Sequence, residues 1–146
     1  MPHLFLTGYE QESVEEFISK LLKHDITTVI DVREIPLSRK NGFSKNRLAP
    51  ILNANGIKYY HLPRFGSPSV IRNDLKSGKD DYLEFFKKYR KYIQGERSAF
   101  KDLFEIINNN GKTTLLCFEK DNDLCHRSIL ANEILKRNKD LLITPL

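Results

Sequence analysis

The sequence predicts an α/β domain: a three-layer, Rossmann-like arrangement with a mainly parallel sheet of four to five strands and helices on both faces. Two observations carry this reading. Short apolar or β-branched runs alternate with amphipathic stretches along the chain. Strands separated by helices pair in parallel, through crossovers that lay the helices over the sheet. A third observation sets the scale. With 146 residues, 40% apolar content, nine Phe and six Tyr, the chain is most simply one domain, residues 1–146, with a packed core.

The elements follow in order. His3 to Thr7 reads as a first strand, stopped by Gly8. Ser13 with Glu16 forms a capping box, and Val14, Phe17, Ile18, Leu21 and Leu22 follow on one helical face. Thr27 to Val32 is a β-branched second strand. Ser44 caps a helix carrying Leu48, Ile51 and Leu52, which stops at Asn55-Gly56. Ile57 to Leu62 makes a third strand, stopped by Pro63. Residues 64–81 mix Gly, Pro, Ser and Asp without clear period and read mostly as loop, with room for one helical turn. Tyr82 to Ile93 is helical, with Tyr82, Phe86, Tyr89 and Ile93 on one stripe. Ser98 to Asn109 is another helix, ended by the Asn108–Gly111 cluster. Thr113 to Phe118 is a fourth strand. Leu124 to Arg137 is a last helix, capped by Asp123, with Ile129, Leu130, Ile134 and Leu135 inward. Leu141 to Thr144 has the length of a short fifth strand.

With the first strand central, the chain winds outward through strands two and three, then crosses to place strand four on the other side. Strands one and four then flank the switch point where α/β sheets bind ligands. In a parallel sheet all strand carboxyl ends share one edge, and here each hands over to reactive or anion-binding residues. Strand one gives Gly8 and Tyr9, strand two Asp31 and Arg33, strand three His61, and strand four Cys117 and Glu119. Asp31 and Arg33 stand two apart and project to the same side of an extended chain, as a carboxylate that orients groups beside an arginine that grips an anion. The same pair also reads as an ion pair closing the strand end. Gly8 admits a close approach to the backbone, or simply makes a turn. Ser38 and Arg39 follow on the loop after strand two.

The start of the last helix adds Cys125, His126 and Arg127. A helix N-terminus favours anions and thiolates, so Cys125 is the expected activated thiol, while Cys117 on a buried strand reads as a small core residue. Asp31, Glu119, Cys125 and His126 are therefore the catalytic candidates. Gly8, Tyr9, Arg33, Ser38, Arg39 and Arg127 are the ligand- or anion-binding candidates. The spacing of Cys117, Cys125 and His126, with Glu119 or His61, matches no compact zinc pattern, and Arg127 repels a cation, so no metal is expected. No pattern names a cofactor.

The net charge of +5 and pI near 9.2 suit an anionic partner. No stretch approaches the length of a membrane span, and the amino-terminal residues lack the pattern of a signal peptide. With only two cysteines, a reducing cytoplasm and free thiols are the expectation. Nothing in the composition speaks to oligomeric state.

Gly8-Tyr9-Glu10, Asp31-Val32-Arg33 with Pro36, Ser38 and Phe43 behind it, Gly56-Ile57 with Tyr59, Leu62-Pro63 and Gly66, Cys117 with Glu119, and Cys125-His126-Arg127 occur in one order. In that order they resemble the domain-of-unknown-function 488 family of small bacterial and archaeal proteins, nearly end to end. The chain departs from that pattern at Leu6, where members often carry Thr. The resemblance implies an α/β domain with one polar edge and no established activity; some members carry a DNA-repair label.

Two function classes follow from the residues, with a third beside them. The first is an enzyme acting on a phosphate-bearing small molecule such as a nucleotide or nucleoside derivative. The second is a nucleic-acid-binding or DNA-processing module. It would use the basic and aromatic loop from Arg39 to Phe43, with Lys45 and Arg47, and the helix of Lys87, Lys88, Arg90 and Lys91. The third is a noncatalytic ligand sensor.

Overall fold

The computed structural model describes residues 3–117 and 126–146. Strands β1 (His3–Gly8), β2 (Thr28–Asp31), β3 (Lys58–His61), β4 (Thr113–Cys117) and β5 (Leu142–Pro145) form one sheet with every pairing parallel. Between them run helices α1 (Val14–Lys23), α2 (Lys45–Ala54), α3 (Ser69–Lys76), α4 (Tyr82–Gln94), α5 (Arg97–Asn109) and α6 (Arg127–Arg137). The α/β class and the three layers are as the alternation of patterns predicts.

Period-two alternation divides each strand between two cores. Phe5, Val29 and Leu116 turn to one face and pack with Phe17 and Leu21 of α1 and Leu48 and Leu52 of α2. Leu4, Leu6, Ile30 and Leu115 turn to the other, against Tyr89 of α4, Leu103 of α5 and Ile134 of α6. Covering on both faces is why these strands read as apolar runs rather than as clean alternation.

The strand order is β3-β2-β4-β1-β5, which corrects the expected winding. β4 inserts between β2 and β1, pairing Ile30 with Leu115 on one side and Leu6 with Leu115 on the other. All five β4 residues are buried, as an inner strand with helices on both faces must be. A short apolar run carries no record of its lateral neighbours, so the order is decided by the ladder. The consequence is local. Chain leaves β1 and β2 toward α1 and α2, and re-enters after β4 in α6 on the opposite face, so the ends of β1, β4 and β2 together bound a crevice of the kind that α/β folds offer to ligands.

Three further readings are corrected. Residues 64–81 hold a 3₁₀ turn, Pro63–Phe65, and two full turns of α3. None of the α3 side chains is fully buried, since it rests on the outside of α4, and with eight residues it is too short for its period to stand out in the sequence. In α4 the buried side chains are Phe85, Tyr89 and Ile93, one position away from Phe86, and Tyr82 is 45% exposed. Helix α6 begins at Arg127 with His126 at its N-cap, so His126 precedes the first turn. Asp123, the expected cap, lies outside the described residues.

The capping box of α1 is present in full, with Glu16 N–H donating to Ser13 Oγ at 3.1 Å and Ser13 N–H to Glu16 Oε1 at 3.0 Å. Ser44 holds the N-cap position of α2, but its hydroxyl donates to the Ser38 carbonyl (3.2 Å) and accepts from Ser38 N–H (3.0 Å). It closes the loop after β2 rather than the helix.

Glu133 of α6 is buried among cations. Its carboxylate accepts from Arg137 at 3.0 Å, Lys136 at 3.3 Å and Gln94 at 3.3 Å. Burial alone would raise its pKa, and these bonds outweigh burial and hold it below the ordinary glutamate range. A lowered native pKa contributes stability that is present above the unfolded value and lost as pH falls through the native one. Glu133→Gln should therefore cost roughly 1–3 kcal/mol at neutral pH, with the gap to wild type closing below about pH 4. Urea melts from pH 3 to pH 7 check this; a gap independent of pH would refute it. Among the described residues no helix is long and apolar enough to cross a membrane.

Candidate functional site

The site begins where β2 ends. Asp31 and Arg33 lie on the same side of the chain, and the Arg33 guanidinium turns back onto the carboxylate: Nε donates to Oδ1 at 2.9 Å and an NH2 hydrogen to Oδ2 at 2.7 Å. Asp31 also accepts from the Arg33 backbone N–H at 3.1 Å and from the Tyr59 hydroxyl at 2.5 Å. Four bonds fill the acceptor positions of this carboxylate, which is fully buried. The remaining face of Arg33 donates to the Tyr9 hydroxyl at 3.1 Å and the Phe43 carbonyl at 2.8 Å. Burial alone would lower the Arg33 pKa; the Asp31 bonds and charge outweigh it and hold the guanidinium above its ordinary value. Tyr59 is pushed well above the ordinary tyrosine range, first by burial and then by the Asp31 charge. The pair is thus a saturated ion pair that ties β2, β3 and the loop after β2 to Tyr9.

Tyr9, leaving β1, stacks on Phe43 with ring centroids 4.2 Å apart and planes at 10°. Two imidazoles grip the backbone just beyond β2. His126 Nε2 lies 3.1 Å from the Val32 carbonyl and His61 Nε2 lies 2.7 Å from the Arg33 carbonyl. A carbonyl oxygen only accepts, so each Nε2 carries the hydrogen. For His126 this directs Nδ1 at Cys117 Sγ, 3.6 Å away at the end of β4. The edge of Tyr89 packs on the same imidazole at 5.0 Å.

Four of these groups line a cavity of about 670 Å³. Tyr9, Arg33, Cys117 and His126 come from the strand ends and the start of α6; Glu34, Ile35, Leu37 and Ser38 from the loop after β2; Ser67, Arg72, Leu75 and Lys76 from α3 and its approach; Tyr82 and Phe85 from α4. The α3 wall is held by Arg72, which donates to Glu34 Oε1 (3.1 Å), to Ser69 Oγ (3.0 Å) and to the Ser67 carbonyl. Ser69 adds a bond to the same Glu34 oxygen at 2.7 Å.

Of the residues singled out from the sequence, Tyr9, Arg33, Ser38 and His126 line this cavity, and Asp31 stands behind Arg33. Gly8 is the last residue of β1, in register with Cys117, and its carbonyl accepts from Lys20 at 3.3 Å. Arg39 is exposed and outside the lining, and Arg127 is fully buried at the first position of α6. His61 borders a separate cleft with Arg64, Ser98 and Asp102. Glu119 and Cys125 lie outside the described residues. The sequence reading misses Glu34, Ser67, Arg72, Lys76 and Tyr82. All but Glu34 come from α3, its approach and the start of α4, where no sequence motif stands. The only signal in reach was the Ser69–Arg72 spacing, which places both on one helical face. Cys117 is the buried core residue that its strand predicts, 4% exposed, and the same thiol also borders the cavity against the His126 imidazole.

The model of the family described as domain of unknown function DUF488 matches residues 13–134 of the chain. The chain belongs to this family. The matched span of this DUF488 protein runs from α1 to α6 and so includes the ends of β2 and β4 and both walls of the cavity. No curated protein and no solved structure matches it.

Proposed function

We propose that this DUF488 protein is an enzyme acting on a phosphate-bearing small molecule, a nucleotide or nucleoside derivative, held in the strand-end cavity. The observation that carries the reading is the division of that cavity. Its inner end holds an imidazole and a thiol, its α3 wall holds Arg72 and Lys76, and its outer wall is apolar and aromatic through Leu75, Tyr82, Ile35 and Leu37. A volume of about 670 Å³ suits a ligand of nucleotide size. An aromatic ring beside cations fits a flat base carrying an anion. His126 would move the proton; Asp31, its acceptor positions filled, would keep Arg33 and Tyr9 in place.

Part of the surface that suggests nucleic acid is otherwise engaged. Phe43 is fully buried and offers no ring for stacking, and Lys40 donates to the Tyr9 carbonyl at 3.2 Å. On α4, Lys88 pairs with Asp74 and Asp80, Lys87 with Glu84 and Arg90 with Glu133. Small-molecule binding is therefore the reading supported best.

Thermal melts with nucleoside monophosphates, free nucleosides, inorganic phosphate and a single-stranded oligonucleotide test it. A monophosphate at a hundredfold excess over Kd should raise Tm by about 5–10 °C. Arg72→Ala should lose most of the phosphate-dependent part of the shift, and Tyr82→Ala most of the part due to the base. A shift that is the same in wild type and both variants, or one given only by the oligonucleotide, would reject the proposal.

A further inference from the structure

We infer that Cys117, rather than Cys125, is the nucleophile of this site, with His126 Nδ1 as its base. The inference deepens the small-molecule reading, on which its place in a reaction rests, yet its test needs no ligand. Three observations on the molecule converge. Cys117 ends β4, the strand that the observed order places at the middle of the crevice, and its side chain lines the cavity. His126 Nδ1 stands 3.6 Å from Sγ. The Val32 carbonyl, accepting from Nε2–H at 3.1 Å, fixes the tautomer in which Nδ1 presents a lone pair to the thiol. A nucleophile, a base within reach and a third group that orients the base form the arrangement that activates a thiol.

The step balances with these groups, a substrate that carries a leaving group and one water. Cys117 S–H passes its proton to His126 Nδ1, which becomes an imidazolium still donating from Nε2 to Val32. The thiolate sulfur forms a bond to the electrophilic atom of the substrate. The bond from that atom to the leaving group breaks, and the leaving group departs with the electron pair and takes the proton from Nδ1. Water then cleaves the sulfur adduct: its hydroxide goes to the electrophilic atom, and its proton passes through Nδ1 back to sulfur. The orienting group is a main-chain carbonyl, so no motif in the sequence announces it.

Alkylation by iodoacetamide, which reaches Cys117 through the cavity, reads the thiolate together with its access to reagent: a sulfur–carbon bond forms, the carbon–iodine bond breaks and iodide leaves. Trypsin separates the two thiols, because Lys120 stands between them; Cys117 falls in the peptide 113–120 and Cys125 in 121–127. At pH 6.5 an ordinary thiol is on the order of 1% ionised. In the folded wild type, the Cys117 peptide should be labelled at least tenfold faster than in the urea-unfolded chain, and ahead of the Cys125 peptide. His126→Asn, checked for folding by circular dichroism, should slow Cys117 labelling tenfold or more. The comparison of folded with unfolded wild type stands even where that variant does not fold. First labelling on Cys125, or a Cys117 rate no higher than in the unfolded chain, would overturn the assignment. Either result leaves the nucleotide melts untouched, so the two readings fail separately.

Discussion

Gly66→Ala should cost at least about 3 kcal/mol or prevent folding, the largest effect expected from adding a single methyl group to this chain. The backbone conformation at Gly66, φ −70° and ψ 150°, suits any residue, so conformational freedom is not the reason for glycine. Space is. A Cβ there would lie 2.1 Å from Glu34 N, 2.5 Å from its Cα and 2.7 Å from its Cβ. Two of these three atoms are main chain, so no rotamer change relieves the overlap, and either the turn after β3 or the exit from β2 must move. Glu34 also holds Arg72 at the α3 wall, so a variant that does fold should have lost the shape of the cavity. Gly78→Ala is the matched comparison: its φ is +80° with nothing within 4 Å of the added carbon, and it should cost only about 1–2 kcal/mol of backbone strain. Urea unfolding of both variants decides the point. Equal losses would show that the contact between residues 66 and 34 yields easily.

Asp31→Ala should cost about 3–5 kcal/mol, because it leaves the Arg33 guanidinium buried without its counter-charge. Arg33 is 7% exposed and Asp31 fully buried, so solvent cannot replace either partner. Removing both charges is a different operation. Asp31→Leu combined with Arg33→Met deletes the pair while filling its volume, and the double variant should be more stable than Asp31→Ala by at least about 2 kcal/mol. Denaturant midpoints for the two chains provide the measurement. A double variant as unstable as the single one would mean that the Tyr9, Phe43 and Tyr59 bonds, and not the charge, hold this corner together.

The chemistry at the strand ends was legible because the residue types are improbable in an inert turn. Asp31, Arg33, Tyr9 and His126 announce a polar edge, and three of the four line one cavity with the fourth directly behind. Their roles were harder to read. Asp31 and Arg33 stand two apart whether the arginine reaches outward to an anion or folds back onto the carboxylate. Only the placement of the Asp31 carboxylate, the Tyr9 hydroxyl and the Phe43 carbonyl around the guanidinium shows that four of its donors are used within the protein. Residues 64–81 hid the α3 wall for a related reason: a helix of two turns offers too few positions for a period to stand out among Gly, Pro, Ser and Asp, yet it can still carry Arg72 and Lys76 to a cavity.

By itself the sequence determined the α/β class, four of the five strands and the capping box of α1, because each depends on local periodicity or on neighbours a few residues apart. The tertiary structure alone decided that β4 lies between β2 and β1, since lateral order depends on contacts between residues far apart in the chain. That one placement brings Cys117 level with Gly8 on one side, one residue beyond the Asp31–Leu116 pair on the other, and sets His126 between a thiol and a main-chain carbonyl. A backbone oxygen is the same in every residue, so which carbonyl orients an imidazole is settled only when the chain has folded.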